Sequence, residues 1–190
     1  MLMTANDWNE TIARFVIEQY SRPFDMVLSG FIDSDLTQRI GQELLRCAEP
    51  QTRRTNLQEY LGSLPDNLAN LLCLDATALL SMDSSGLKEF LGQALRVLSP
   101  GGYCVFLTKD GVKYGRIVPN GFQLVHRFLS NSFKLSTIID CNSSRELPFQ
   151  LDPHQYLAVF QKPADTGKRF TCQRTSKPVF PGPFITSRSS

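Results

Sequence analysis

The sequence lacks the patterns that identify membrane, secreted and metal-binding proteins. No stretch approaches the ~18–20 consecutive apolar residues of a membrane span, and residues 1–10 lack the basic-then-apolar order of a secretory signal. The five cysteines are widely spaced, with no Cys-x-x-Cys pair and no Cys/His cluster. We therefore expect reduced cysteines packed in the core, no metal site, no membrane association and a cytoplasmic or nuclear location.

Strong net charge is also lacking, because 20 Lys and Arg residues are balanced by 18 Asp and Glu residues. A net charge of +2 does not predict a polyanion as the partner of the whole chain. The C-terminal end differs, since no acidic residue follows Asp165 and proline is frequent there. We predict one domain over residues 1–163 and a basic, Pro-rich, disordered tail over residues 164–190.

The composition of the tail suits two kinds of partner. Its cations are interleaved with Phe170, Phe180 and Phe184, a combination that attracts phosphates and stacks on bases of single-stranded nucleic acid. Pro178, Pro181 and Pro183 favour an extended conformation that suits docking onto a protein. We expect a protein partner, with nucleic acid bound through the basic tail as the alternative.

Apolar runs alternate with helical patterns from residue 68 onward. Runs 68–74 (LANLLCL) and 103–108 (YCVFLT) are continuous, as expected of strands buried on both faces, and an amphipathic helix over 86–98 separates them. The last two strands, 133–140 and 155–161, are joined without a helix, so we expect an antiparallel pair at the sheet edge. The sequence therefore predicts an α/β fold, a Rossmann-like three-layer sandwich with a mainly parallel sheet.

In the first half of the chain, helical patterns and apolar runs alternate less regularly. Periodicity predicts a helix over 7–20, capped by Asn6 or Asp7, and a second helix over 36–48. Between them, residues 24–31 form a short apolar run that ends in a Ser-Gly turn signal and is read as a strand.

One turn carries a family resemblance. Arg96-Val97-Leu98-Ser99-Pro100-Gly101-Gly102 joins a predicted helix to a predicted strand, with a proline that stops the helix and two glycines that allow a sharp reversal. It resembles the R-hydrophobic-L-K-P-G-G turn before the fifth strand of class I S-adenosylmethionine-dependent methyltransferases, with Ser99 in the usual Lys place. The resemblance covers about half the chain and implies the fold of that family, without indicating a substrate.

In that family the cofactor is held by a D/E-x-G-x-G-x-G turn after the first strand, where glycines let the backbone approach the ligand. The matching segment, 27–33, contains one glycine, Gly30, and places bulky Phe31 and Ile32 where small residues are needed. We therefore interpret this turn as degenerate.

The resemblance implies three cofactor-binding residues, Ser29, Gly30 and Asp75. Asp75 is included because it ends the run 68–74, and ligands of open α/β sheets bind at the carboxyl ends of strands. Its alternative role is to cap a helix. Neither the resemblance nor the residue pattern identifies a catalytic residue.

The interval 24–74 is too short for the four strands and three helices that the family places there, because one βαβ unit takes ~30 residues or more. We expect at least one strand–helix unit to be missing. The acidic residue that ends the family's second strand and holds the ribose hydroxyls is also unplaced, since Glu59 and Asp66 follow no convincing strand.

Two functions follow. The first is a methyltransferase-fold pseudoenzyme with no cofactor expected, acting as an interaction or scaffold subunit. The alternative is an active methyltransferase with an atypical loop, with S-adenosylmethionine as cofactor and nucleic acid as a candidate substrate. It predicts that Gly30 and Asp75 line one pocket at the ends of adjacent strands. Residues 75–78 occupy the place of the D/N-P-P-Y/W motif of DNA amino-methyltransferases, and only Asp75 matches it.

The remaining polar features are expected to be structural. His126 falls on a predicted helix over 121–130, and His154 precedes the last strand. Residues 109–120 are predicted to form a polar, glycine-containing loop, with a basic rim near a substrate as the alternative.

Overall fold

The computed structural model describes residues 8–30, 34–49, 57–140, 146–152 and 154–164. The helices are α1 Glu10–Tyr20, α2 Ser34–Glu43, α3 Leu57–Ser63, α4 Ala76–Ser81, α5 Ser84–Val97 and α6 Asn120–Ser130. The strands are β1 Met26–Gly30, β2 Cys47–Glu49, β3 Ala69–Asp75, β4 Leu98–Lys109, β5 Gly111–Lys113, β6 Arg116–Val118, β7 Lys134–Ile139 and β8 Gln155–Gln161. No described helix has both the length and the apolar character needed to cross a membrane.

Six strands form one sheet in the order β2-β1-β3-β4-β8-β7. The strands β2, β1, β3 and β4 are mutually parallel, whereas β8 is antiparallel to both β4 and β7. The predicted α/β sandwich, with a mainly parallel sheet and an antiparallel pair at one edge, is confirmed.

In the described residues, one strand–helix unit of the doubly wound order is missing at the other edge. The order β2-β1-β3-β4 corresponds to strands 2-1-4-5 of the common doubly wound order 3-2-1-4-5-6. Between β1 and β3, the described part of the chain contains only β2 and the helices α2 and α3. The unit that is lacking there is the outermost strand with its helix, and β2 is the edge strand instead.

Helices cover both faces of the sheet and create two cores. One core contains apolar side chains of α3, α4, α5 and α6, and the other contains those of α1, α2 and residues 147–151. Cys104 belongs to the first core and Cys73 to the second, so these two buried thiols on neighbouring strands point to opposite faces. Burial raises the pKa of the Cys73 thiol to about 12 and that of Cys104 well above its usual value.

The two N-terminal helices begin and end differently from the sequence prediction. The cap of α1 is Asn9, whose side chain accepts a hydrogen bond from the Ile12 amide at 2.9 Å. Helix α2 ends at Glu43, five residues before the predicted end. The predicted helix over 36–48 was therefore too long, and it included Cys47 and Ala48, which belong to β2.

A left-handed residue without a glycine ends α2. Leu45 has φ 59°, and the amides of Leu45 and Arg46 donate to the carbonyls of Gln42 and Gly41. These two bonds form the Schellman arrangement, in which glycine usually takes the left-handed position. Because Leu45 occupies it here, the sequence contains no stop signal, and the Leu45 side chain is exposed instead of following the apolar face of the helix.

Ser99 to Gly102, predicted as a turn, belong instead to the first part of β4 at the amino edge of the sheet, where the register with β3 shifts between Ala69 and Leu71. Gly101 has φ 80°, and a Cβ at Gly102 would lie 2.9 Å from the Ser99 carbonyl oxygen and 3.0 Å from that of Asn70. Both glycines are therefore required, one by its backbone conformation and the other by close approach to β3. This irregular start of β4 lies at the edge of the sheet opposite to the strand ends where ligands of such folds bind.

The prediction of a loop over residues 109–120 is wrong, because this segment contains two strands. Strands β5 and β6 form a two-stranded hairpin in which Lys113 pairs with Arg116 around the tip residues Tyr114 and Gly115. Gly115 has φ 71°, a conformation that glycine adopts without strain. The hairpin leads directly into α6.

Candidate functional site

The carboxyl ends of β1 and β3 bring two of the predicted site residues to the same edge. Gly30 pairs with Leu74 in the parallel register, so Asp75 is one residue beyond the partner of Gly30. Gly30 and Asp75 therefore lie at the ends of adjacent strands, which is the placement that the cofactor-binding alternative requires. Their binding to a cofactor stays a prediction.

The space beside Gly30 is filled by the protein itself. A Cβ at Gly30 would lie 2.7 Å from Leu57 Cδ2 and 2.8 Å from Leu74 Cδ2. Both leucines are fully buried in the core beneath α3. The lack of a side chain at Gly30 thus serves close packing against leucine. Phe31 and Ile32, the bulky residues of the predicted turn, lie outside the described residues.

Ser29 is turned toward the other face of the sheet. It pairs with Cys73, which belongs to the core beneath α1 and α2. Its side chain is 2% exposed, and its hydroxyl has no hydrogen-bond partner among the described residues. Ser29 and Gly30 therefore do not present their α-carbon substituents to one common space, although they are consecutive.

Asp75 caps α4, a short helix that the sequence analysis did not predict. Its carboxylate oxygen Oδ1 accepts a hydrogen bond from the Thr77 amide at 2.8 Å. This is the capping role that was the alternative to cofactor binding.

The structure also identifies an acidic residue that the sequence analysis missed. Glu49 is the last residue of β2, and it pairs with Leu28 of β1 in the parallel register. The resemblance implies an acidic residue at the end of the second strand, and Glu49 has that position. The signal in the sequence was the short Cys47-Ala48-Glu49 run before Pro50, whose first two residues were assigned to the predicted helix over 36–48.

A second polar cluster lies where β4 and β8 meet the start of α6. The Tyr156 hydroxyl donates to Asp110 Oδ1 at 3.3 Å, and the Gly121 amide donates to the same oxygen at 3.4 Å. Burial raises the pKa of the Tyr156 phenol, and the adjacent Asp110 carboxylate raises it further. A Cβ at Gly121 would overlap the Tyr156 hydroxyl, so glycine is required at this point. The cluster anchors the first turn of α6 to the sheet.

Two cavities accompany α6. The smaller, of about 50 Å³, lies between α4, α5 and α6, and the larger, of about 440 Å³, lies along the outer side of α6. Neither is lined by Ser29, Gly30 or Asp75. The described residues contain no group of three or more His, Cys, Asp and Glu side chains arranged to hold a metal ion.

The two histidines lie in separate elements, His126 in α6 and His154 immediately before β8. His126 is exposed on α6 and lines the larger cavity. His154 is also exposed, and its carbonyl accepts a hydrogen bond from the Asp110 amide at 2.9 Å, next to β8.

Comparisons with known proteins agree with this architecture at the level of the fold. No family model and no curated protein matches the sequence. The chain is similar to a SAM-dependent methyltransferase structure from Archaeoglobus fulgidus, with 13% identity, a TM-score of 0.56, and coverage of 81% of this chain and 95% of that one. A SAM-dependent methyltransferase from Methanosarcina mazei gives 13% identity, a TM-score of 0.51, and coverage of 79% and 98%.

A proposed DNA modification methylase from Thermus thermophilus is also similar, at 16% identity with a TM-score of 0.43. The alignment covers 74% of this chain but only 53%, about half, of that protein. Together, the sheet order and the two longer alignments identify a Rossmann-like protein. This chain has the class I S-adenosylmethionine-dependent methyltransferase-like fold.

Proposed function

We propose that this chain is a non-catalytic, methyltransferase-fold subunit that does not hold S-adenosylmethionine at the carboxyl edge of its sheet. The observation that supports this most directly is the packing of Leu57 and Leu74 beside Gly30. In the family, glycines at this turn let the backbone approach a ligand. Here the only glycine in the segment is used for contact with the protein's own core.

Two further features support the proposal. The family's turn opens with an acidic residue, whereas Val27 and Leu28, in the matching place, are both apolar and fully buried. Asp75, the other candidate ligand, already accepts the Thr77 amide as the cap of α4. Since fold alone does not establish function, likeness to methyltransferases does not supply the activity.

The alternative is an active methyltransferase that uses S-adenosylmethionine through an atypical loop. It is favoured by Glu49, which ends β2 where the family has its ribose-binding acid, and by the adjacency of Gly30 and Asp75. In this alternative Glu49 would hold the ribose hydroxyls, and the cofactor would supply the methyl group.

Calorimetric titration of the full chain with S-adenosylmethionine and S-adenosylhomocysteine separates the two functions. We expect no binding at micromolar concentrations of either compound. If the chain binds, Glu49→Ala should be compared with Glu59→Ala, which removes a carboxylate from the exposed side of α3. Micromolar binding that is lost in Glu49→Ala and kept in Glu59→Ala would establish the alternative and exclude the non-catalytic proposal.

A further inference from the structure

The outer side of α6 carries an open groove with an aromatic ring and a guanidinium group. The groove has a volume of about 440 Å³, and it is lined by Pro119, Phe122, Gln123, His126 and Arg127. The Phe122 side chain is 59% exposed although the ring is large and apolar. The ring packs against Tyr156 in a tilted arrangement, with ring centroids 5.7 Å apart and an angle of 42° between the ring planes, while much of its surface faces solvent.

The chain around this groove has an excess of positive charge. Residues 109–139 contain a single acidic residue and five cations, namely Lys109, Lys113, Arg116, Arg127 and Lys134. The acidic residue, Asp110, accepts hydrogen bonds from Tyr156 and Gly121, and Lys109 pairs with Asp152. In the described ranges, neither Arg116 nor Arg127 forms an ion pair. Two guanidinium groups therefore remain for an external anion.

The hairpin brings the second guanidinium close to the groove. Arg116 precedes Pro119 by three positions, so their α-carbons are at most about 10 Å apart along an extended chain. That distance is comparable with the Debye length of about 8 Å at physiological ionic strength. The charge of Arg116 therefore lies close enough to contribute to the attraction of an anion held beside Pro119.

We propose that the groove on α6, together with the β5–β6 hairpin, binds single-stranded nucleic acid. An unpaired base stacks on Phe122, and the neighbouring phosphates contact Arg127 and Arg116. An exposed aromatic platform flanked by unpaired cations is the combination that binds single strands, because every base has a stacking face and every linkage carries a charge. The groove volume falls within the ~300–1,000 Å³ of small-molecule sites and accommodates one nucleotide unit at a time.

The inference rests on described residues of α6 and the hairpin, and it requires neither the C-terminal tail nor a bound cofactor. It is therefore independent of the proposed non-catalytic function, and the two proposals are tested by different experiments. A duplex is a poorer ligand because its bases are already stacked and cannot lie on Phe122. An acidic protein segment would satisfy the two arginines but would stack on Phe122 only where it carries an aromatic side chain, whereas every nucleotide offers a base.

The test measures fluorescence anisotropy of a labelled oligothymidylate, about 12 nucleotides long, against the full chain at several salt concentrations. The test variant is Phe122→Ala/Arg127→Ala. The matched control is Arg22→Ala/Phe24→Ala, which removes one arginine and one exposed phenylalanine from the amino edge of the sheet, where Phe24 is 78% exposed. Circular dichroism confirms that all the variants are folded.

We expect micromolar binding by the wild type and by the control, and a loss of roughly tenfold or more in Phe122→Ala/Arg127→Ala. Arg127→Ala alone should also reduce the slope of log affinity against log salt by about 0.7, the value for one phosphate contact on a single strand. Failure of the wild type to bind overturns the proposal. Equal affinity of the α6 variant and the wild type overturns it as well, and would assign the binding to other parts of the chain.

Discussion

The Arg96 guanidinium donates a hydrogen bond from Nη2 to the Leu61 carbonyl oxygen at 2.7 Å. It also donates from Nη1 to the Leu64 carbonyl oxygen at 2.8 Å, so a side chain of α5 satisfies two carbonyls at the end of α3. Helix α3 carries Leu57, which fills the space beside Gly30. Arg96 thus helps to hold α3 in place, and with it the Leu57 side chain that packs beside Gly30.

Substitution of Arg96 by lysine should lower the free energy of unfolding by about 2 kcal/mol, because an ammonium cannot reproduce the planar array of donors and hydrogen bonds to charged groups are worth ~1.5–3 kcal/mol. Urea denaturation followed by circular dichroism measures the change. The control Asp66→Asn removes only the exposed ion pair of Arg96 and should cost less than about 1 kcal/mol. Equal losses in the two variants would contradict the role assigned to the carbonyl bonds.

Substitution of Gly30 by alanine should destabilise the protein by about 1–3 kcal/mol, the usual cost of overpacking a core. The added methyl group would lie 2.7 Å from Leu57 Cδ2. The matched control is Gly92→Ala in α5, where a Cβ meets nothing within 4 Å, and it should stabilise the helix by about 0.5–1 kcal/mol.

A double-mutant cycle with Leu57→Ala identifies the contact responsible. If Leu57 occupies the space, the cost of Gly30→Ala should be smaller in the Leu57→Ala background than in the wild type. An unchanged cost in that background would show that the space beside Gly30 is closed by something else.

The Tyr156 hydroxyl should make stability fall at high pH. Because the pKa of this phenol is raised in the folded state, its contribution is complete below the unfolded value of about 10 and is lost as the pH rises through the folded value. The free energy of unfolding should therefore decline above about pH 10, and Tyr156→Phe should show a shallower decline. The control Tyr114→Phe, which alters an exposed ring, should follow the wild type. Parallel pH profiles for Tyr156→Phe and the wild type would disprove the raised pKa of this phenol in the folded state.

Long periodic segments were predictable from the sequence. The apolar runs of β3, β4 and β8 and the stripe of α5 are read correctly because each repeats a local pattern over several residues. The antiparallel pairing of β7 and β8 also follows from the chain order, since no helix connects them. These predictions require no knowledge of distant contacts.

Short elements were not predictable in this way. Strand β2 has three residues, and it follows a helix that ends in a left-handed Leu45 without a glycine signal. The β5–β6 hairpin has strands of only three residues each, Gly111–Lys113 and Arg116–Val118, joined by a tip of Tyr114 and Gly115. Backbone pairing with a neighbouring strand defines both elements, and such pairing leaves little trace in a short local sequence.

Some features of the candidate site were likewise predictable from the sequence, and others were not. The sequence by itself determined that Gly30 and Asp75 end two strands and that the turn after β1 is poor in glycine. Only the tertiary structure decided that these strands are neighbours, that Leu57 fills the space beside Gly30, that Asp75 caps α4, and that Glu49 ends an edge strand. The physical reason is that residue type and periodicity determine local structure over a few neighbouring positions. The side chains that fill a given space come from residues far apart in the sequence, and only folding brings them together.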